Sequence, residues 1–197
     1  MNKINYQKEL DKIIKELEKE NIVPTLLLHS CCAPCSTYVI EYLSNYFKIT
    51  VFYYNPNIDN QEEYILRATE QKNLLRKMKT KYKVDFIEGD YNVELFKKYT
   101  KGLEDEEEGG KRCSICYGMR LKETEKVASK EGYDYFTTTL SISPLKDSQR
   151  LNKIGLGIQK SDGAKYLPSD FKKKSGYQRS VELSKEYELY RQNYCGC

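Results

Sequence analysis

Seven cysteines fall in three tight groups: Cys31, Cys32 and Cys35, then Cys113 and Cys116, then Cys195 and Cys197. Thiols at such spacing hold a metal as thiolates or exchange electrons in pairs. Cys31-Cys32-x-x-Cys35 offers three on one turn, and Cys113-Ser114-Ile115-Cys116 is a CxxC. Both groups open helical patterns, and the partly positive helix N-terminus lowers a thiol's pKa. Together they can hold a zinc ion or an iron–sulfur cluster. The side chains of adjacent Cys31 and Cys32 are expected to diverge. That suits two corners of a larger cluster, or two adjacent metals, better than one tetrahedral zinc. The plainer alternatives are buried structural thiols or a structural zinc without catalysis; five thiols in two short knots weigh against the first. Cys195-Gly196-Cys197 can add ligands, form a strained redox-active disulfide, or be an idle tail.

Other polar residues fall nearby in the pattern. His29 ends an apolar run just before the first cysteines, as a proton donor, a cluster neighbour or a satisfied structural histidine. Asn55-Pro56-Asn57 ends the next apolar run; Asn55 and Asn57 are candidate substrate contacts, although a turn explains them equally. Asp90 is a weaker candidate proton relay. Glu63 and Arg67 read as a surface helix pair. Lys172, Lys173 and Lys174, with Lys165 and Arg179, form a basic patch interleaved with Tyr166, Phe171 and Tyr177. Lysines contact phosphates and aromatics stack on unpaired bases, so the patch is a candidate RNA surface, with Lys172 and Lys173 as contacts; a solvated charge run is the ordinary alternative.

These residues need a scaffold, and hydrophobic periodicity supplies one. Residues 3–20 place Tyr6, Leu10, Ile13, Ile14 and Leu17 on one helical face. Thr25-Leu26-Leu27-Leu28-His29 is the continuous apolar run of a strand buried on both sides of a parallel sheet. Strands are also expected at 49–54, 84–87, 133–139 and 165–167. Helices are expected from the first cysteine loop to about residue 47, at 62–81, 93–99, from Cys113 to about 130, at 148–158 and at 180–194. Residues 104–110, acidic and then Gly-Gly, read as a flexible loop. Strands alternating with helices predict an α/β fold with a mainly parallel sheet, whose ligands bind beyond the carboxyl ends of the strands. The loop His29–Cys35 falls there.

The whole is 197 residues and 23.1 kDa, the size of one domain. An N-terminal helix over 1–23 and an α/β domain over 24–197 are expected. No apolar run reaches the ~18 residues of a membrane span, and the N-terminus lacks a signal-peptide core. A cytoplasmic protein without a membrane partner is therefore expected. One histidine excludes a zinc site built mainly on imidazole, and a net charge of +4 permits an anionic partner without requiring one.

The motifs, taken in order, resemble the QueH family of epoxyqueuosine reductases. They are His29-Ser30-Cys31-Cys32-Ala33-Pro34-Cys35, Tyr54-Asn55-Pro56-Asn57-Ile58 with Glu63-Tyr64 and Arg67, and Arg112-Cys113-Ser114-Ile115-Cys116-Tyr117 with Arg120. Thr137-Thr138-Thr139-Leu140 with Ser143-Pro144 and Lys146, Asp170-Phe171-Lys172-Lys173, and Tyr190 to Cys197 complete the set. The resemblance spans about Leu26 to Cys197 and leaves the N-terminal helix outside.

It implies a single Rossmann-like domain similar to the PP-loop group of nucleotide α-hydrolases, with cysteines replacing the phosphate loop. It implies reduction of epoxyqueuosine to queuosine in the tRNA anticodon loop, the last step of queuosine biosynthesis. It also implies a [4Fe–4S] cluster on Cys31, Cys32, Cys113 and Cys116. Cys195 and Cys197 become a redox-active, disulfide-forming pair. Some family members carry Asp in place of Cys35, which points to an additional mononuclear iron there. Protons are expected from His29, Asp90 or water, and electrons from a flavodoxin or ferredoxin, because no GxGxxG fingerprint is present. Two rivals remain at this level. One is a zinc-stabilised RNA-binding module; the other is a PP-loop ATP-dependent tRNA-modifying enzyme, which the absence of glycine from His29 to Ser36 disfavours.

Overall fold

The side chains of Leu26, Leu27 and Leu28 are completely buried, and they alternate between two cores. Leu26 and Leu28 pack with Val39, Ile40, Ile142 and Phe171 on one face of the sheet. Leu27 packs with Leu121, Phe136, Leu151 and Tyr166 on the other. An unbroken apolar strand is the pattern such double burial demands. It is seen in a computed structural model that describes residues 3–192 and 194–197. The first two residues of the 1–23 segment, and Asn193 of the C-terminal motif, lie outside the described residues.

The chain runs α1 (Tyr6–Lys19), β1 (Thr25–His29), α2 (Ala33–Leu43), β2 (Lys48–Tyr53), α3 (Gln61–Lys77), β3 (Asp85–Glu88) and α4 (Val93–Tyr99). It continues through α5 (Lys111–Lys130), β4 (Tyr135–Thr138), a 3-10 turn at Thr139–Ile142, α6 (Ser148–Ile158), β5 (Lys165–Tyr166) and α7 (Gly176–Glu186). The five strands order as β3-β2-β1-β4-β5 and every pairing is parallel. This is the α/β architecture expected. The order reverses at β1, so the loop leaving β1 opens into the crevice between β2 and β4. Because α5 leads into β4, its N-terminal turn stands over the same carboxyl edge. The topology thereby brings the first two cysteine groups to one side of the sheet.

Helix α1 is tied in by Leu10, Ile14 and Leu17, which belong to the same core as Leu26 and Leu28. On the opposite face α6 approaches the sheet closely at Gly155, where an added Cβ would lie 2.3 Å from the buried Tyr166 ring. Gly155→Ala is expected to destabilise the protein by about 1–3 kcal/mol through overpacking. A thermal melt checks this; an unchanged midpoint would mean that the ring swings aside.

The last helix departs from its expected limits. It begins at Gly176, not near Ser180, and ends at Glu186, not Tyr194. Gly176 is required at the start because a Cβ there would meet the Phe171 carbonyl oxygen at 2.0 Å and the Tyr38 ring at 2.4 Å. Ser175 takes a left-handed conformation as N-cap, so Ser175-Gly176 opens a helix and is not a flexible hinge. At the other end Glu188 is left-handed (φ 55°). Its N–H donates to Lys185 O, and Leu189 N–H donates to Ser184 O at 2.8 Å. This is a Schellman stop with glutamate in the place that usually signals itself by glycine. Among the described residues from 187 onward the chain is therefore an irregular tail, not the helix expected to 194.

Candidate metal centre

The ladder continues one residue past β1, where Ser30 N–H donates to Phe52 O at 2.9 Å. The chain then turns, and Cys32 becomes the N-cap of α2, with Pro34 in the first turn. Proline is pre-organised there because its missing N–H would have no helical partner. This places the Cys31, Cys32 and Cys35 sulfurs all within 4.8 Å of one another, a group able to hold a metal ion. Cys31 Sγ and Cys32 Sγ are 3.7 Å apart. Their expected divergence is thus corrected. Four sulfurs at ~2.3 Å from one zinc are separated by about 3.8 Å, so the spacing also suits a single ion. Hydrogen bonds from the Cys32 and Cys35 thiols hold Cys31 well below the ordinary thiol pKa, with help from Arg120 and against burial.

On α5, Cys116 is buried and Cys113 half-buried. Gly109 N–H donates to Cys113 Sγ at 3.2 Å. The acidic 104–110 segment is engaged: Glu106 accepts from Lys111 N–H at 2.8 Å and Glu108 pairs with Lys146 at 3.1 Å. Arg150 ties the turn from outside through Gly109 O, Gly110 O and Ser114 Oγ. Burial raises the Cys116 thiol, partly offset by Arg120.

Beside the triad lies a cavity of about 430 Å³ whose wall includes Cys31, Cys32, Cys35, Asn57, Lys146 and Cys195 but neither Cys113 nor Cys116. The tail reaches it as a strap. Arg67 Nη1 donates to Cys195 O at 3.2 Å, and its guanidinium lies 5.2 Å from the centre of the Tyr194 ring. Asp59 N–H donates to Gly196 O at 3.2 Å. Lys146 Nζ lies 3.6 Å from Cys195 Sγ. The Cys197 hydrogen bond, then Lys146 and Arg120, bring the Cys195 thiol down to about 5 against desolvation. Cys195 and Cys197 are free thiols, not the expected disulfide; a ring spanning a single residue between them would be tight.

The other candidates divide. His29 is fully buried; its Nε2–H donates to the Tyr54 carbonyl at 3.0 Å, and its Nδ1 pairs with Thr138 Oγ1 at 2.9 Å. Burial, then Arg120, lowers its pKa to about 3. It ties three strands together as a neutral ring, and the proton-donor expectation is replaced by a structural one. Asn55 lines the cavity, but its amide donates to Ser30 O at 2.9 Å and accepts from Arg120. Asn57 lines it with Oδ1 unpartnered. Asp90 is exposed and absent from the cavity wall.

The basic patch is largely ion-paired, with Lys165, Lys173 and Lys174 exposed. Lys172 Nζ donates to Ser141 O and Lys146 O and pairs with Asp170. Lys174 pairs with Asp11 and Arg179 with Glu41. Tyr166 and Phe171 sit in the core, so neither can stack on a base, whereas Tyr177 lies on the cavity rim and Lys173 is exposed. Arg67 is not on the surface: it is 2% exposed and its Nε donates to Glu63 Oε1 at 2.6 Å.

Three site cations escaped the sequence reading as site residues: Arg67, Arg120 and Lys146. Arg120 had a signal, since 113, 116 and 120 share one helical face. Lys146 had none, lying in an irregular loop. No helix among the described residues is long and apolar enough to cross a membrane.

A family model described as "Epoxyqueuosine reductase QueH" matches residues 26–197. The chain is 47% identical over 197 residues to a Streptococcus pyogenes protein of that name, covering 99% of this chain and 77% of the relative. It is 46% identical to one from Staphylococcus epidermidis, covering 99% and 84%. A Thermotoga maritima relative with the same name is 36% identical, covering 88% of each chain. The two closer matches thus include the N-terminal helix that the family model omits.

Proposed function

The chain belongs to the QueH family of epoxyqueuosine reductases, and on that membership we propose that it reduces epoxyqueuosine to queuosine in tRNA. The observation that carries this reading at the level of chemistry is the thiol-walled cavity. Removing an epoxide oxygen to leave an alkene consumes two electrons and two protons and releases water. A single-electron relay beside a pocket of nucleoside size meets that demand. The proposed relay is a [4Fe–4S] cluster on Cys31, Cys32, Cys113 and Cys116, with Cys35 placed for an additional iron. The close Cys31–Cys32–Cys35 triad supports a thiolate-bound metal: soft thiolates select such groups, and buried cations suit an anionic one. When bound, the cluster supplies electrons one at a time.

The chain's own residues do the rest. A cavity of about 430 Å³ admits one nucleoside and not a helix, so the modified base must enter extruded from its loop. Asn57 Oδ1, buried and unpartnered, accepts a hydroxyl of the bound sugar or ring. Lys146 stays charged beside Cys195, whose thiolate outweighs the cost of burial, and it orients that sulfur. The Cys195–Cys197 thiolate–thiol pair holds two electrons and one proton, and water supplies the second proton that one turnover consumes. A flavodoxin or ferredoxin is the proposed donor that restores it.

Anaerobically prepared protein is expected to be brown, to carry iron and sulfide, and to convert epoxyqueuosine tRNA to queuosine tRNA, read by nucleoside mass. A colourless protein with one zinc and no conversion would sink the proposal and favour the zinc-stabilised RNA-binding reading.

A further inference from the structure

Arg120 is 1% exposed and heads the largest fully buried side chains among the described residues. A guanidinium cannot shed its proton to escape burial, so a buried arginine normally sits against a carboxylate. Among the described residues Arg120 has none. Its Nε reaches Cys116 O at 3.4 Å and its Nη1 reaches Asn55 Oδ1 at 3.5 Å, both long, while Nη2 has no partner. The sulfurs of Cys116, Cys195 and Cys31, with Tyr117, hold its charge against burial. Those sulfurs come from all three cysteine groups. The cation reaches the Cys116 carbonyl on α5 and shares one cavity wall with Cys31 of the loop after β1 and Cys195 of the C-terminal strap.

We infer that Arg120 is the permanent counter-ion of the thiolate-bound metal group, a positioning residue that sets its reduction potential. The inference rests on the metal reading above. Each added electron makes a thiolate-ligated iron group more negative, and a fixed positive charge in a dry site favours the more negative state. Arg120 thus holds the potential up, within reach of a biological donor. In the metal-free protein the same guanidinium has only thiols to offset its burial.

The test uses wild type, Arg120→Met and Arg120→Lys, each metal-free and iron-loaded. Three quantities are read: iron and sulfide content, midpoint potential by anaerobic titration followed in the visible and by electron paramagnetic resonance, and melting temperature. Arg120→Met is expected to have a more negative midpoint potential, with Arg120→Lys between it and wild type. Loaded Arg120→Met should melt below loaded wild type, while the metal-free variant melts at least as high as metal-free wild type. Iron lost in Arg120→Met but kept in Arg120→Lys supports the same conclusion, since the charge is then needed for loading. An unchanged midpoint potential overturns it. So does a metal-free Arg120→Met that fails to fold or falls as far as the loaded form, because Arg120 would then be a structural residue. So does loss of iron from both variants. Wild type that takes up no iron would instead refute the metal reading itself.

Discussion

Cys32→Ala is expected to lose its metal and its turnover together while keeping its fold. Cys32 belongs both to the close sulfur triad and to the proposed cluster ligands, so its loss counts under either arrangement. If a four-thiolate site binds its metal by about 10–16 kcal/mol, one thiolate carries roughly 3–4, or about a hundred- to a thousand-fold in affinity. The fold should be spared. Cys32 is the N-cap of α2 but caps no backbone N–H with its side chain, so alanine removes no capping bond. Iron and sulfide assays beside far-ultraviolet circular dichroism separate the two effects. Full iron content with wild-type turnover would remove Cys32 from the ligand set. Parallel Cys35→Ala and Cys113→Ala variants then tell the sets apart: the triad needs Cys35, whereas the proposed cluster needs Cys113.

The second large effect is one of stability. Arg67→Met should lower the unfolding free energy by about 3–5 kcal/mol, the cost of leaving a buried partner charge unpaired. At about 2–4 °C per kcal/mol for a chain of this size, that is a melting-temperature fall on the order of 10 °C. The side chains of Arg67 and Glu63 are 3% and 12% exposed. Arg67 also holds the strap through Cys195 O and the Tyr194 ring, so iodoacetamide should alkylate Cys195 faster in the variant. Adding Glu63→Gln should recover part of the lost stability, because it removes the stranded carboxylate. A fall under about 1 kcal/mol would return the pair to the class of exposed helix pairs, where its i,i+4 spacing alone had put it.

That pair shows where local reasoning stops. Spacing says that residues 63 and 67 share a face of α3; it does not say whether that face meets water or the chain's own C-terminus, 128 residues away in the Arg67–Cys195 contact. The same limit explains the basic patch. Lysines at 172 and 174 look like a phosphate surface until the fold supplies Asp170 and Asp11 as partners. Tyr166 and Phe171 beside them are core because β5 and the turn before α7 close over the sheet. α7 is shorter than its sequence suggests for a different reason: its stop is a Schellman motif carried by Glu188, and propensity rules look there for glycine.

What could be read in one dimension is what local chemistry encodes. Hydrophobic period predicts the strands and most helices, because burial on one or two faces leaves a repeat of 3.6 or an unbroken run. Cysteine spacing announces a metal or redox site, because ligands on one turn must lie close together. The resemblance then supplies a reaction. Contacts between segments far apart in sequence decide the rest. Only the tertiary fold gathers Cys31, Arg120 and Cys195 on one cavity wall, turns His29 inward as a neutral tie, and straps Cys195 to Arg67. Those arrangements depend on the parallel order of the sheet and on where β1 reverses it, and no window of neighbouring residues contains either.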